Sequence, residues 1–417
     1  MTSAQPWPRK PLVELAARKR WAMNGGPFGS KLTSKRYTAS GVPVIRGTNL
    51  SGPSKFSFED FVFVSDETAN ELLANNAHPG DLVFTQRGTI GQVGLIPANS
   101  PFSRFVISQS QMKLTPDLEQ VDPFYLYYYF SSPESVVEIR NLAMSSGVPH
   151  INLEILRGFN VVTPPLACQR SIANILSAYD DLIENCQRRI RILEDMARGL
   201  YREWFVHFRF PGADALPRID SPLGPIPQGW AVARLDEVLV LQRGFDLPKG
   251  ERAEGSIPIY AASGITGFHN EAKVHAPGVV TGRSGTIGEV LYVQEDFWPL
   301  NTTLWVKAFP KSEPLFAYYL LGSLDLKQFN SGAAVPTLNR NDVHGIPVVV
   351  PSQELQRHFQ QVAGSMHRQV RTLTMKCTNL RRTRDLLLPR LLSGQITLAS
   401  AEPEPASLRA AGIAALA

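Results

Sequence analysis

Apolar residues across positions 166–204 recur at alternating steps of four and three. This spacing places them on one side of a helix and forms a heptad seam, the pattern by which long helices pair. No proline interrupts the stretch, so the sequence predicts one continuous amphipathic helix. The seam residues are Ile172, Leu176, Tyr179, Ile183, Cys186, Ile190, Leu193, Ala197, Leu200 and Trp204.

A second seam in the same phase lies 187 residues further along the chain, and only Arg384 breaks its apolar pattern. The residues before the helices repeat at the same offset, since Pro164 and Gln169 are matched by Pro351 and Gln356. Two such helices, each after its own globular segment, indicate a duplicated unit whose helices pair with each other. The second seam consists of Phe359, Ala363, Met366, Val370, Leu373, Cys377, Leu380, Arg384, Leu387 and Leu391.

Each globular segment, called a head below, has the pattern of an α+β domain. Residues 81–96 and 278–293 alternate β-branched and aromatic side chains around a Gly-Thr-Ile-Gly turn, which predicts one hairpin in each head. Short helices are predicted at 124–130 and 315–321. The offset between the copies falls from 223 near the N-terminus to 187 from Pro149 onward, so the second head is shorter by the difference of 36 residues.

Composition describes an ordinary globular protein of two or three domains, with 417 residues, 43% hydrophobic and 19% charged. Two of the three cysteines, Cys186 and Cys377, lie on the seams, and the third is Cys168. This favours buried thiols in a reducing compartment over disulfides or a metal site. The sequence has neither a signal-like segment nor an apolar stretch of membrane-spanning length, so we expect a cytoplasmic protein without a membrane partner.

The net charge of +5 is unevenly distributed. Residues 352–395 carry eight Arg or Lys against two acidic residues, a local balance of +6. Such a run fits a solvated helix face, a surface for DNA phosphates or a surface for an acidic partner, and these alternatives stay open.

Catalytic motifs are missing from the chain. Lys31 follows a glycine-rich segment, but Leu32 stands where a phosphate-binding loop needs Ser or Thr. Thr163-Pro164-Pro165-Leu166 lacks both ends of the Asn/Asp-Pro-Pro-aromatic motif of adenine methyltransferases, and its prolines suit the start of a helix. The eight histidines are scattered, so no metal site is predicted.

Polar and basic residues beside glycine turns are the candidate ligand-binding groups of both heads. Arg, Gln and Asn side chains form paired hydrogen bonds with base edges, while Lys, Ser and Thr suit phosphates. We therefore predict DNA contacts, although an ordinary surface role fits any single one of these residues. In the first head the candidates are Lys31, Lys35, Arg36, Arg46, Asn49, Gln86, Arg87 and Thr89. In the second head they are Arg243, Lys249, Arg252, Arg283, Ser284, Thr286, Asn301 and Thr302.

Several short motifs, in this order around two seamed helices, resemble the specificity subunit of type I restriction-modification systems. They are Gly26-Pro27-Phe28-Gly29-Ser30, Pro43-Val44-Ile45-Arg46-Gly47, Arg87-Gly88-Thr89-Ile90-Gly91 with Ser284-Gly285-Thr286-Ile287-Gly288, Pro164-Pro165-Leu166 with Gln169-Arg170, and Leu223-Gly224-Pro225-Ile226-Pro227 before Trp230. The resemblance implies two target-recognition domains, each reading half of a bipartite, asymmetric site in double-stranded DNA. It also implies helices that bind two methylation subunits and, through them, restriction subunits. Catalysis, S-adenosylmethionine, ATP and Mg would then belong to those partners, with no catalytic residue and no cofactor in this chain.

The resulting fold class is α+β, with two α/β target-recognition domains separated by two long helices in an intramolecular antiparallel coiled coil of pseudo-twofold, duplicated architecture. A helix of about 40 residues is roughly 60 Å long, whereas a head of about 120 residues has a radius of gyration near 13–14 Å. The second helix must therefore begin near the end of the first, with one head at each end. The predicted boundaries are 1–163 for the first domain, 164–210 for the central helix, 211–229 for a proline-rich linker, 230–350 for the second domain, 351–397 for the C-terminal helix and 398–417 for a disordered tail.

A different class of protein also fits the composition. A protein scaffold with two variable heads that never touch DNA is compatible with heads of near-neutral charge. A standalone modification enzyme is disfavoured because its motifs are missing.

Overall fold

The computed structural model describes residues 7–52, 54–143, 149–396 and 398. The chain forms two compact units, each containing one head and part of each long helix. Unit 1 combines the chain up to Cys186 with the chain from Lys376 onward, and unit 2 is Gln187–Met375. Apart from Leu398, the predicted tail at 398–417 lies outside the described residues.

Short strands and helices build the head of unit 1, which leads into the first long helix. In chain order they are β1 (Arg9–Pro11), β2 (Met23–Gly25), β3 (Tyr37–Thr38), β4 (Val42–Ile45), β5 (Val62–Val64), α1 (Asp66–Glu71), β6 (Asn76–Ala77), β7 (Leu82–Thr85), β8 (Val93–Leu95), β9 (Phe105–Ile107), β10 (Gln111–Leu114), α2 (Pro123–Ser131), α3 (Pro133–Ala143), α4 (Leu153–Gly158), β11 (Asn160–Val162) and α5 (Leu166–Tyr201). The strand orders are β2-β10-β7-β8, β3-β5-β4-β9-β6 and the pair β1-β11.

Unit 2 begins within α5, which ends in a π-helical turn at Arg202–Val206. Its further elements are β12 (Arg218–Ile219), β13 (Ile226–Pro227), β14 (Ala231–Arg234), α6 (Leu235–Val238), β15 (Val240–Arg243), β16 (Ile257–Ala261), β17 (Gly264–His269), β18 (Gly278–Gly282), β19 (Val290–Val293), β20 (Trp298–Pro299), β21 (Thr303–Ala308), α7 (Pro314–Ser323), α8 (Arg340–His344), β22 (Pro347–Val350) and α9 (Gln353–Leu392). The strand orders are β15-β21-β18-β19, β17-β16-β20, β14-β22 and β12-β13.

The two heads share one topology. The antiparallel sheet β2-β10-β7-β8 of unit 1 has its counterpart in β15-β21-β18-β19 of unit 2. Both heads also contain a parallel strand pair, β4 with β9 in unit 1 and β16 with β20 in unit 2. An antiparallel strand pair precedes each long helix, β1-β11 before α5 and β14-β22 before α9. Unit 1 adds β3, α1 and β6 around its second sheet, which fits its longer head.

The local elements predicted from periodicity are confirmed. The two hairpins are β7-β8 and β18-β19, both antiparallel, and the two short helices are α2 and α7. The segment 211–229, predicted as a linker on its prolines, contains the strand pair β12-β13, and Ile226 in it is buried in the core of unit 2. Burial of this apolar side chain gives the segment a fixed course despite its turn-forming composition.

The long helices pair antiparallel within each unit, as the fold class predicts. In unit 1, Leu176 of α5 shares a core with Leu388 of α9, while the Cys377 thiol lies 3.8 Å from the Ile183 carbonyl oxygen. In unit 2, the Tyr201 and Phe359 rings have centroids 6.1 Å apart. A groove joins Arg189 to residues 365–373 of the same unit. Position numbers thus rise along α5 as they fall along α9, and each seam residue predicted from the sequence is buried or half-buried.

Arg384, the polar member of the second seam, is paired with a carboxylate of the opposite helix. Its Nη1 donates to Asp180 Oδ1 at 2.6 Å, while Lys55 of the head lies 2.8 Å from Asp180 Oδ2 and Tyr128 Oη donates to the same oxygen at 2.5 Å. Burial opposes ionisation of Asp180, but Lys55 and these hydrogen bonds outweigh it and hold the pKa of that carboxyl below its usual value. A charged residue is tolerated in the seam because its partner satisfies it.

His367 occupies the position in α9 that Asp180 occupies in α5, 187 residues earlier. Its Nε2 lies 2.9 Å from the hydroxyl of Tyr319, the counterpart of Tyr128. Burial lowers the pKa of His367 to about 4, so the ring is neutral near pH 7. Each helix therefore meets a tyrosine of its own head at the same place, through an ionised group in unit 1 and a neutral one in unit 2.

A buried glutamine fixes each head to its long helix in the same way. In unit 1, Gln169 Nε2 donates to the carbonyl oxygens of Gln120 (3.2 Å) and Pro164 (2.8 Å), and its Oε1 accepts from the Asp122 N–H (3.0 Å). Gln169 is 1% exposed. These bonds connect the start of α5 to the segment that enters α2.

The counterpart in unit 2, Gln356, repeats all three bonds and is fully buried. Its Nε2 donates to the carbonyl oxygens of Lys311 (3.1 Å) and Pro351 (3.1 Å), and its Oε1 accepts from the Glu313 N–H (2.9 Å). The glutamines repeated in the sequence are therefore structural residues that join head to helix.

Replacing either glutamine with methionine keeps the side-chain volume and removes all three bonds. We expect Gln169→Met and Gln356→Met each to lower the free energy of unfolding by about 1–3 kcal/mol, because buried backbone groups lose their partners. Urea denaturation measures the loss, with Gln361→Met on the exposed face of α9 as the control. Stabilities equal to that of the control would contradict this role.

Candidate nucleic-acid interface

The loops that carry the predicted DNA-contacting residues of unit 1 meet around one turn, residues 108–111. The Ser108 N–H donates to the Ile45 carbonyl oxygen (3.0 Å), and the Gln86 N–H donates to that of Ser110 (2.7 Å). These bonds gather the C-terminal ends of β4, β7 and β9. We call the resulting surface, made of residues 25–36, 46–49, 86–91 and 108–111, loop edge 1.

Unit 2 builds an equivalent surface around residues 300–303. The Leu300 N–H donates to the Tyr260 carbonyl oxygen (2.8 Å), and the Arg283 N–H donates to that of Thr302 (2.8 Å). These bonds repeat those of unit 1 at matching sequence positions. Loop edge 2 consists of residues 243–252, 283–288 and 300–303.

A glycine closes each loop edge through a close backbone approach. The Gly26 N–H donates to the Gln111 carbonyl oxygen (2.8 Å), and the Gly244 N–H donates to that of Thr303 (3.0 Å). A Cβ atom on Gly26 would lie 2.0 Å from the Ser108 carbonyl oxygen, and one on Gly244 would lie 2.2 Å from that of Leu300. Only glycine fits at these positions, so Gly26, in the glycine-rich segment before Lys31, serves packing.

In loop edge 1, the structure separates exposed candidates from candidates that hold the loops. The exposed ones are Lys31, Lys35, Arg87 and Thr89. Gln86 is half-buried, its backbone N–H bonds to Ser110 within the edge, and its carbonyl oxygen accepts from the Ile151 N–H. The Arg36 guanidinium already has partners within the head, because it donates to the Lys31 carbonyl oxygen at 2.9 Å and to the Glu71 carboxylate.

Asn49 is fully buried, and its side chain is used inside the protein. Its Oδ1 accepts from the Arg46 N–H (2.9 Å), and its Nδ2 donates to the carbonyl oxygen of Glu59 (2.9 Å). The Arg46 guanidinium donates to the Asp60 carbonyl oxygen. Asn49 thus shapes this loop instead of presenting its amide to a base, and Arg46 supports the same loop.

Loop edge 2 brings three predicted residues together around a carboxylate that sequence reasoning missed. Arg243 Nη2 donates to Asp246 Oδ1 at 3.2 Å, and the Asn301 amide donates to the same oxygen. Arg283 Nη1 donates to the Asn301 carbonyl oxygen at 3.2 Å. One feature of the sequence could have indicated Asp246: it lies two residues after Gly244, the glycine that matches Gly26.

Further candidates lie elsewhere in loop edge 2. Ser284 is half-buried, with its N–H donating to the Thr302 carbonyl oxygen at 3.1 Å, whereas Thr286 and Lys249 are exposed. Arg252 Nη1 donates to the Thr266 carbonyl oxygen at 3.2 Å. Loop edge 2 therefore contains donors suited to phosphates and donors suited to base edges.

No group of His, Cys, Asp or Glu among the described residues is arranged to hold a metal ion. In the same part of the chain, no helix is both long enough and apolar enough to cross a membrane.

Comparison with known proteins identifies the family. The family model described as "Type I restriction modification DNA specificity domain" matches residues 28–194 and 227–365, which together are most of the chain and include the larger part of each head. The chain belongs to the type I restriction-modification DNA specificity family. DNA sequence specificity within a type I restriction-modification system is therefore the role of this specificity subunit, as the resemblance of its motifs predicted.

Curated specificity subunits align with the chain over most of their length. The MjaIX specificity subunit of Methanocaldococcus jannaschii is 24% identical over 393 residues, covering 87% of this chain and 88% of that protein. The HindI specificity subunit of Haemophilus influenzae is 21% identical over 401 residues, covering 76% and 86%. The EcoprrI specificity subunit of Escherichia coli is 23% identical over 319 residues, covering 73% and 74%.

A solved structure supports the fold. The type I restriction-modification S subunit from M. genitalium superposes with a TM-score of 0.64 at 19% identity, covering 94% of this chain and 97% of that one. The predicted fold class, two α/β heads with two long paired helices, is confirmed.

Arg87 is exposed beside the Gly88 turn and is the sharpest single test of loop edge 1. If it reads a base, Arg87→Ala should weaken binding to the specific target by ~1–3 kcal/mol and leave binding to random DNA unchanged. Equilibrium titration of both duplexes measures this. Arg104→Ala is the control, because Arg104 lies at the end of β9 that is away from the loop edge and forms an ion pair with Asp66 there. An equal loss on random DNA would assign Arg87 to a phosphate.

Proposed function

We propose that each head reads one half of a bipartite, asymmetric target in double-stranded DNA. One observation carries this proposal: the backbone framework of the loop edge is repeated between the units, whereas the side chains on it differ. At matching positions Gln86 and Arg87 of unit 1 stand against Arg283 and Ser284 of unit 2. Since different donor sets select different base edges, the two half-sites differ in sequence.

The long helices separate the half-sites and serve as the docking site for two methylation subunits, through which restriction subunits join. Apolar side chains on their outer faces support this proposal, because about half of their surface meets water in the chain by itself. In unit 1 these are Leu182 and Leu386, and in unit 2 Ile192, Met196 and Met375. A groove of about 410 Å³ on the helices of unit 2, lined by Arg189, Arg368 and Leu373 among others, adds charge for an acidic partner.

Catalysis belongs to the partners in this proposal. The specificity subunit selects DNA without chemistry of its own, and S-adenosylmethionine, ATP and Mg act in the methylation and restriction subunits. We place this activity in the cytoplasm, in keeping with three cysteines that form no disulfide.

Co-expression with a candidate methylation subunit, the product of an adjacent gene with an Asn/Asp-Pro-Pro-aromatic motif, tests the proposal. We expect methylated adenines at one bipartite, asymmetric motif throughout the host genome, mapped by modification-sensitive sequencing. Native mass spectrometry of the purified complex should show two methylation subunits for each specificity subunit. A complex that forms but methylates no defined motif would favour a protein scaffold and contradict the DNA-reading role.

Shortening the paired helices tests their role as a spacer. Deleting one heptad from α5 and the facing heptad from α9 keeps the seam in phase and removes about 10 Å of helix, close to three base pairs of DNA. The methylated motif should keep both half-sites and lose about three base pairs between them. A variant in which the same heptads are replaced by others of equal pattern is the control. Changed half-sites with an unchanged spacer would refute the role.

A further inference from the structure

Phe28 projects from loop edge 1 with 81% of its surface exposed. The other exposed large apolar side chains of the described residues reach at most 58%, at Met375. Isolated apolar residues on a surface are common, but a phenylalanine ring in water carries a hydrophobic cost that an ordinary surface residue avoids.

The loop that carries Phe28 is fixed on both sides, so the ring has no access to the core of its own head. Gln109 Nε2 donates to the carbonyl oxygens of Gly29 (2.6 Å) and Leu32 (3.1 Å). Asn75 Nδ2 donates to the Gly25 carbonyl oxygen (2.6 Å), and Gly26 lies against the backbone of the 108–111 turn. These bonds hold the ring outward before any partner binds, which reduces the entropy lost on binding.

The loop of Phe28 also carries two exposed lysines. Lys31 and Lys35 are exposed on the same loop, and Arg36 donates to the Lys31 carbonyl oxygen at 2.9 Å. An apolar ring beside lysines suits a polyanion that also has apolar surfaces. In duplex DNA those surfaces are the thymine methyl groups and the faces of the base pairs.

Unit 2 presents a carboxylate where unit 1 presents this ring. Counting from the matched glycines Gly26 and Gly244, the position of Phe28 is taken by Asp246. The aromatic residue of the second loop, Phe245, is half-buried and lies against Trp298 and Trp305, with ring centroids 6.3 and 6.1 Å away. The projecting ring is therefore a property of the first head.

We propose that Phe28 makes an apolar contact with a base of the half-site read by unit 1. This inference rests on the proposed DNA-reading function. The lysines of the same loop bind phosphates and position the loop, while the ring contacts the base.

The test uses the full complex with its methylation subunit and the motif found by methylation mapping. Phe28→Ala should weaken binding to the intact target about tenfold, leave binding to random DNA within about twofold, and leave the salt dependence unchanged, because no phosphate contact is lost. On a duplex with the first half-site scrambled, Phe28→Ala and the wild type should bind equally. With only the second half-site scrambled, the difference should persist.

Val13→Ala is the matched control, since Val13 is 46% exposed in the same head. Val13 lies in the Leu12–Leu15 turn, away from the loop edge. The Leu15 carbonyl oxygen accepts from the Asp117 N–H (2.8 Å), and Asp117 follows the end of β10 that is opposite the loop edge. Its binding to every duplex should equal that of the wild type.

Deoxyuridine in place of the thymines of the first half-site distinguishes the two apolar surfaces of DNA. If the wild type loses affinity and Phe28→Ala does not, the ring contacts a thymine methyl group; if neither responds while Phe28→Ala remains weaker, the ring stacks on a base. Unchanged affinity of Phe28→Ala for the target, or an equal loss on random DNA, would overturn the inference. A wild-type complex that fails to distinguish target from random DNA would instead overturn the proposed function.

Discussion

Burial of one apolar stripe on each long helix is the constraint on which this protein depends. A helix of 36 or 40 residues with such a stripe is stable in water only when another surface covers it. In each unit the stripe of α5 meets that of α9, and the same core continues into the head. The one charged seam residue, Arg384, is accommodated because Asp180 pairs with it across the helices. Helix pairing and head folding therefore depend on the same buried core in each unit.

Hydrogen bonds between side chains and backbone groups then fix each head to its long helix. Gln169 and Gln356 connect helix and head through the same three hydrogen bonds, and a tyrosine in each head bonds to the long helix at matching positions. Duplication has kept this framework, together with the backbone bonds around the 108–111 and 300–303 turns. What has diverged is the set of side chains that face outward, as a protein needs if it must change its target without losing its fold.

Much of the fold could be predicted because its causes are local. The heptad spacing, the hairpins around Gly-Thr-Ile-Gly and the two short helices follow from periodicity and turn chemistry over a few residues. The parallel pairs β4-β9 and β16-β20 escaped prediction, because they join strands about 60 and 40 positions apart with no local sign of contact. The candidate site was harder still. Arg87 and Asn49 look alike as polar residues beside glycine turns, yet one is exposed and the other is fully buried.

By itself, the sequence determined the duplication, the two seamed helices, the α+β character of the heads and the family. Each of these follows from the spacing and order of residues along the chain. Only the tertiary structure decided which polar residues face outward, that Asp246 gathers Arg243 and Asn301, and that Phe28 is held away from the core. The physical reason is that exposure and hydrogen-bond partners depend on residues far apart in the chain. Gln109, 81 positions after Phe28, holds the loop that keeps the ring in water.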